Sequence, residues 1–339
     1  MKAWLLDQIG GGIDALRLGD TEPPVPTQGE VVLDVLYAAL NPADRYTAEG
    51  QYPARPPTPH ILGRDGVGVV SAVGPGVDGH ALGQKRLIVR SEIGVNRRGT
   101  LAQQVAVPVE SLVPVPQGWS DEQSAGATLV YLTAWQTFEV WPDLPPEAVV
   151  LVSGASGGVG VAVTHLASAM GHAVIGLSRS EEKSTELRRQ GAALMLDPTD
   201  DAWVRKLKDH LGKRRVDLAV DNIGGRIFPQ LIETLGENGR VSCVGRLAGP
   251  VPEFNTATLF FRRIQIRGIG VYSYKPAQSA AIWPKIVELL NRKNYRPLVD
   301  RVFRFQDLPA AFQRLRDGPM GKVLIKVTET ERPPGEPTK

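Results

Sequence analysis

Cysteine is almost absent from this chain. There is one, Cys243, so no internal disulfide can form and no multi-cysteine zinc site can be built. A surplus of one charge is also missing. Lys and Arg number 39 against 36 Asp and Glu, a formal net charge of +3, so no overall field steers the chain toward nucleic acid or a membrane surface. No apolar run approaches the ~20 residues of a membrane helix. The start, Met1-Lys2-Ala3-Trp4-Leu5-Leu6, meets Asp7 too early to read as a secretory signal. Internal repeats and long low-complexity segments are lacking as well. These absences set aside a disulfide scaffold, a nucleic-acid binder and a membrane span. A reducing, cytoplasmic setting is the expectation.

What is present fits two domains. The chain has 339 residues, 42% hydrophobic and 22% charged, which exceeds one ordinary core of ~100–200 residues. Its organising stretch is Val149-Val150-Leu151-Val152-Ser153-Gly154-Ala155-Ser156-Gly157-Gly158-Val159-Gly160. Four β-prone residues run into a glycine-dense turn. Val159, Val163, Leu166, Ala167 and Met170 then recur at helical spacing, with Gly171 as the stop. Strand, tight turn and helix in this order let backbone N–H groups meet a pyrophosphate at the positive helix end. A dinucleotide fingerprint would place glycine where Ala155 stands.

The first third is rich in Pro and Gly. Short β-prone runs at Lys2–Leu6, 31–38, 67–73, 86–89 and 102–107 predict a compact, barrel-like β domain. Gly63, Gly66 and Gly68 read as bulges or points of close backbone approach. From Asp121 the texture changes. Ser120 caps one expected helix and 129–140 reads as another, before Pro142, Pro145 and Pro146 break the chain. Strands are then expected at 149–152, 173–177, 194–196, 216–220, 241–244 and 265–269. Helices are expected at 181–190, around 203–211, at 227–235 and at 280–290. Six strands with helical crossovers predict a right-handed, doubly wound parallel sheet. The runs 302–305 and 323–327 return to strand character and are expected to pair back onto the first domain. The expected class is α/β, with 1–121 and 294–329 in the β domain, 122–293 in the nucleotide domain, and 330–339 a flexible tail.

The second strand tests the nucleotide. A site for NAD usually ends it with Asp or Glu for the ribose 2′-OH. Here it ends Gly176-Leu177-Ser178-Arg179. Arg179, with Ser178 and Lys183, suits a 2′-phosphate through charge-assisted hydrogen bonds. The plainer alternative is solvated charge at a helix start, although cations are slightly unfavourable in a first turn. Glu181 and Glu182 are better explained as partners of that helix dipole. The expected cofactor is NADPH.

At this point a family pattern is complete. In order come Asn41-Pro42-Ala43-Asp44-Arg45-Tyr46, Gly50-Gln51-Tyr52-Pro53 and Gly63-Arg64-Asp65-Gly66-Val67-Gly68. Leu132-Thr133-Ala134-Trp135, Ala155-Ser156-Gly157-Gly158-Val159-Gly160, Asp221-Asn222-Ile223-Gly224-Gly225 and Gly321-Lys322-Val323 follow. The chain resembles the medium-chain dehydrogenase/reductases over nearly its whole length, in their zinc-free quinone oxidoreductase branch. The resemblance implies a GroES-like β-barrel catalytic domain, a Rossmann domain and an active cleft between them. It also implies a homodimer joined through edge strands near 264–269. Zinc-dependent relatives carry Cys near Asn41 and Gly-His-Glu near Gly63-Arg64-Asp65. Both are replaced, and His60 beside prolines reads as structural, so no metal is expected.

The resemblance also implies a site map. Gly157, Gly158, Val159 and Gly160 match the pyrophosphate turn, and Ser178, Arg179 and Lys183 the 2′-phosphate pocket. Asn222, Gly245, Arg246, Leu247, Ile269, Gly270 and Val271 match segments lining the adenine side and the nicotinamide. Thr133 matches a residue beside the nicotinamide, and Lys322 one near the cofactor. Asn41, Tyr46 and Tyr52 fall on the substrate side. Two departures stand out. Gly83-Gln84 replaces a usual Gly-Asp turn. The loop from Arg90 to Thr100 is unusual, and its Arg97-Arg98 reads either as a solvated loop or as a greeting for an anionic substrate.

Hydride transfer asks a protein for position and electrostatics, since the cofactor carries the reactive bond. Asn41 and a tyrosine O–H can donate to an oxygen gaining negative charge, and Tyr52 or water can supply the proton an enone needs. Tyr46 and Tyr52 can equally be packing residues. Three functions are expected in order: an NADPH-dependent reductase of quinones or α,β-unsaturated carbonyls, a trans-2-enoyl thioester reductase, and a protein that binds NADPH without turnover. Tyr52 matches a proposed acid in the thioester reductases, whereas Gly99-Thr100-Leu101 departs from their usual Gly-Thr-Trp. The expected partner is a small electrophile, with neither nucleic acid nor membrane.

Overall fold

In the computed structural model of the chain, residues 1–89, 92–249 and 252–328 are described. The expected tail, and Arg90 and Ser91 of the unusual loop, lie outside them. Two units divide the chain: Met1–Gly126 with Arg301–Asp317 and 323–328, and Ala127–Asp300 with Gly318–Lys322. Residues 294–300, expected with the β domain, thus go with the second unit.

The strand Glu30–Ala39 is the hub of the first unit. It pairs antiparallel along nearly its whole length with Asp65–Val73 on one side, and its first half pairs antiparallel with Gln104–Pro108 on the other. Its last three residues pair with Lys322–Lys326, so the returning end of the chain is built into the sheet as expected. Lys85–Ile88, Leu112–Pro114 and Val299–Arg304 complete seven strands, and Lys2–Leu6 pairs separately with Leu16–Asp20. Alternating Val and Leu in the hub point into one core with Leu6, Ile61, Leu101 and Phe312. Trp4 is buried there with its indole N–H satisfied by the Phe305 carbonyl at 2.8 Å, as a buried indole requires. The helix Pro42–Ala48 interrupts the sheet strands; Pro42 opens it, where its missing N–H costs nothing.

The second unit is the expected doubly wound sheet. Six parallel strands run in the order Ala192–Leu196, Ala173–Leu177, Val149–Val152, Val216–Asp221, Leu235–Cys243 and Gln265–Gly268. All four residues of Val149–Val152 are buried, as a central parallel strand covered on both faces demands. Chain order reverses between this strand and Val216–Asp221, the switch point at whose carboxyl ends open parallel sheets hold their ligands. Crossover helices include Gly158–Ala169, Glu181–Arg189, Trp203–Leu211 and Ile227–Thr234; the apolar stripes of the last two join Leu151 and Ile175 of the sheet in one core through Leu207 and Leu231. Among the described residues no helix is long and apolar enough to cross a membrane.

Candidate active site

The glycine turn lies at the switch point of the parallel sheet. Gly157 caps the helix Gly158–Ala169. At Gly160 a Cβ would sit 2.7 Å from the backbone of Ala155, so only glycine lets this helix approach its strand. Ala155 fills the place of the first fingerprint glycine without strain because the neighbouring strand carries Gly176. A Cβ on Gly176 would lie 3.0 Å from that of Ala155 and 2.6 Å from the Met195 sulfur.

Behind the turn stands a buried network. The Asp221 carboxylate accepts from Ser153 Oγ at 2.7 Å and from the N–H groups of Ile223 and Gly224 at 3.0 and 3.1 Å. Asn222 donates its backbone N–H to Ser153 Oγ at 2.9 Å and its amide Nδ2 to the Ser153 carbonyl at 2.8 Å. That leaves Asn222 Oδ1 buried with no partner among the described residues. An unpartnered buried acceptor costs about 1–3 kcal/mol, and a donor from a bound ligand would remove the penalty. Asp221 also bears the next loop, its carbonyl accepting from Val244 and Gly245 at 2.8 and 3.1 Å. Arg246 and Leu247 follow, both exposed.

At the end of the second strand Ser178 is buried and Arg179 exposed. Arg179 has no hydrogen bond or ion pair to any described residue. Lys183 donates its ammonium to the Gly318 carbonyl. That carbonyl opens the segment Gly318–Lys322, which rejoins the turn: Gly321 donates to the Ser156 carbonyl at 2.8 Å and bridges to Gly157. Lys322 is buried next to it. On the other flank Thr133 gives its hydroxyl proton to the Leu129 carbonyl at 2.7 Å. Gln136, one turn on, accepts from the Gly270 N–H at 3.0 Å and donates to Ser273 Oγ at 2.6 Å, fixing the segment with Ile269, Gly270 and Val271.

In the first unit one carboxylate organises the expected acceptor residues. Asp44, fully buried, accepts the Asn41 N–H at 2.8 Å and the Gly63 N–H at 3.2 Å. Asn41 is buried and directs Nδ2 toward the Ala39 carbonyl at 3.3 Å. The Tyr46 carbonyl accepts from Gln51 and Tyr52 at 2.8 and 3.1 Å, which turns the chain so that Tyr52 follows on. Arg45 lies 5.1 Å over the Tyr46 ring and Arg64 5.1 Å over that of Tyr52. Arg97 is tied to the buried Glu30 and Arg98 donates to Thr21 at 3.1 Å, so this arginine pair is occupied within its own unit. His60 is buried, and desolvation lowers its pKa to about 4. No three His, Cys, Asp or Glu side chains come together as a metal site among the described residues.

Asp44, Gln136 and Asp221 were absent from the sequence map although each holds mapped residues in place. The signal for Asp44 was there: it is the third helical residue after Asn41, where an acid caps a helix start. Nothing in the sequence marks Gln136, whose partners lie far along the chain.

A parallel sheet with a glycine turn at its switch point, joined to an antiparallel β unit, defines a two-unit dehydrogenase that takes a nicotinamide dinucleotide. Two family models match, Alcohol dehydrogenase GroES-like domain over residues 27–117 and Zinc-binding dehydrogenase over 158–292. The chain belongs to the medium-chain dehydrogenase/reductase family, a family of oxidoreductases. It is 24% identical to the quinone oxidoreductase of Sus scrofa, covering 93% of this chain and 94% of that one. The human synaptic vesicle membrane protein VAT-1 homolog is 25% identical, over 93% and 84%. The acryloyl-coenzyme A reductase of Sulfurisphaera tokodaii is 24% identical, over 94% and 98%. Among solved structures, an NAD-dependent alcohol dehydrogenase superposes with TM-score 0.87 at 29% identity, over 97% of this chain and 100% of that one. A mycobacterial protein complexed with NADPH gives 0.86 at 25%, over 96% and 100%.

Proposed function

We propose that this protein is a zinc-independent reductase that uses NADPH to reduce quinones or α,β-unsaturated carbonyls. The observation that carries the cofactor choice is Arg179, an exposed cation without a partner among the described residues, where an NAD site would have an acid. Ser178 beside it and the unpartnered Asn222 Oδ1 fit the same dinucleotide. When bound, the reduced nicotinamide supplies the hydride. The Gly157–Gly160 turn holds the pyrophosphate with backbone N–H groups, and Arg179 the 2′-phosphate. Gln136 keeps Gly270 in place along the nicotinamide side, with Thr133 and Lys322 as further cofactor residues. Asn41, Tyr46 and Tyr52 orient the acceptor and donate to its oxygen. The relative named quinone oxidoreductase supports this acceptor class.

The relative named acryloyl-coenzyme A reductase favours a second reading, an enoyl thioester reductase with Tyr52 as proton donor. Purified protein is given NADPH or NADH with 1,4-benzoquinone, an enone and crotonyl-coenzyme A. Oxidation of NADPH well above that of NADH is expected with the first two acceptors. Turnover of the thioester alone, with a large loss in Tyr52→Phe, would move the assignment to the second reading. NADPH binding with no turnover of any acceptor would leave a non-catalytic NADPH-binding protein. A cytoplasmic, homodimeric state belongs to the same proposal.

A further inference from the structure

We propose that Arg64 is the residue that receives the negative charge developing on the acceptor's oxygen, a role that rests on the reductase reading above. Arg64 is half-buried and has no carboxylate partner among the described residues. Its Nη1 donates to the Tyr52 phenol oxygen at 3.1 Å and its guanidinium lies over the same ring. A guanidinium has five N–H donors, so most of them remain uncommitted. The acids of the same segment are occupied: Asp44 holds the N–H groups of Asn41 and Gly63, and Glu49 pairs with Arg45 at 3.3 Å. Arg55 is also taken up, donating to the Gly50 and Tyr52 carbonyls.

The backbone that carries Arg64 is clamped from both sides. Gly63 donates to Asp44, and its carbonyl accepts from Thr100 at 3.0 Å, while Leu101 donates to the Leu62 carbonyl at 3.0 Å. With its backbone fixed and its guanidinium oriented by Tyr52, this cation needs limited reorganisation when charge appears beside it, a condition for transition-state stabilisation. The Tyr52 oxygen, already accepting from Arg64, keeps its own O–H for another acceptor. One substrate oxygen can therefore receive an N–H from Arg64 and the O–H of Tyr52.

With an enone, the reduced nicotinamide would supply a hydride to the β-carbon, the C=C pair would move toward the carbonyl carbon and the C=O pair onto oxygen, and Arg64 and Tyr52 hold the enolate oxygen so formed. A water gives its proton to the α-carbon and leaves as hydroxide, which the solvent neutralises, and the oxidised nicotinamide would be left. Arg64 is the fixed positive charge on that oxygen.

Two readouts test this. In the reductase assay, Arg64→Met should lower kcat by about 10²-fold, the scale for losing one oxyanion donor, with NADPH affinity unchanged. Arg64→Lys should recover part of that loss, since it restores charge without the planar fork. Independently of turnover, 4-nitrophenolate is titrated by its absorbance shift as a stand-in for the enolate. It should bind the wild type and bind Arg64→Met about 10-fold or more weakly. Equal phenolate binding by both, no binding by the wild type, or a kcat in Arg64→Met within about twofold of wild type would each overturn the role. If the wild type reduces no acceptor yet binds phenolate through Arg64, the reductase reading falls and the anion site stands. Should Arg64→Met fail to fold, Arg64→Gln and Arg64→Lys carry the same comparison.

Discussion

Arg179 is a charge whose purpose can be read from what surrounds it. It is exposed, it has no acid partner among the described residues, and it follows a buried serine at a strand end. Arg179→Ala is expected to weaken NADPH by about 1–3 kcal/mol and to leave NADH unchanged, measured by fluorescence titration of each nucleotide. Equal weakening of both would remove the 2′-phosphate from the assignment. His165 is a charge the fold suppresses. Its Nε2 faces Gln190 Oε1 at 2.8 Å, so that nitrogen carries the proton, and Nδ1 accepts from the Tyr131 hydroxyl at 2.7 Å. Burial lowers its pKa from 6.5 to about 4. Between those values the unfolded chain binds the proton and the folded one does not. Stability therefore falls as pH drops from 6.5 toward 4, by about 3 kcal/mol for this group at full extent. Urea unfolding at pH 7 and pH 4.5 should show a smaller difference for His165→Gln than for the wild type.

The short helix Pro42–Ala48 matters through what its first turn ties together. Asp44→Ala would leave the buried N–H groups of Asn41 and Gly63 without an acceptor, each at about 1–3 kcal/mol. A lower thermal midpoint and slower acceptor reduction are expected, with NADPH affinity intact. A matching loss of NADPH affinity would mean that Asp44 acts on the whole molecule instead. The sequence showed the central strands well, because Val, Ile and Leu runs between turn residues have one reading. It hid three kinds of feature. Leu16–Asp20 is a mostly exposed strand with Arg17 and Asp20 in it, so no apolar alternation marks it. Leu235–Cys243 begins before the expected residue 241. Its Gly236-Glu237-Asn238-Gly239 reads as a turn and indeed bulges, with Asn238 at positive φ and a register shift against Val216–Asp221. The helix Pro276–Arg292 starts before the expected residue 280, with Pro276 in its first turn, where proline is tolerated but hides the start. In the candidate site, the glycine turn and the exposed place of Arg179 at a strand end were legible from local pattern. The support from Asp221 and Gln136 was not, since it arises only when distant segments meet.

For the molecule as a whole, the exposed edge of the parallel sheet bears on assembly. Gln265–Gly268 is an edge of the parallel sheet with all four residues exposed, and the preceding helix Ala257–Arg262 shows Phe260 and Phe261 at 66% and 77% exposure. An unpaired edge beside exposed aromatics invites a second strand. Sedimentation is expected to find a dimer that Phe261→Glu with Ile266→Lys converts to monomer. A monomeric wild type would refute it.

Both units are discontinuous, and this has a consequence for how the protein is made. The hub strand Glu30–Ala39 waits for Leu324, Ile325 and Lys326, and the glycine turn waits for Gly321. During synthesis on a ribosome, then, neither unit can be completed until residues 318–326 have emerged. A nascent chain stopped at residue 300 holds an early β sheet with one unpaired flank and a nucleotide turn without its strap. Such a chain exposes the unpaired strand edges that chaperones retain, and the emergence of residues 318–326, more than the order of the earlier segments, sets the moment at which both units close.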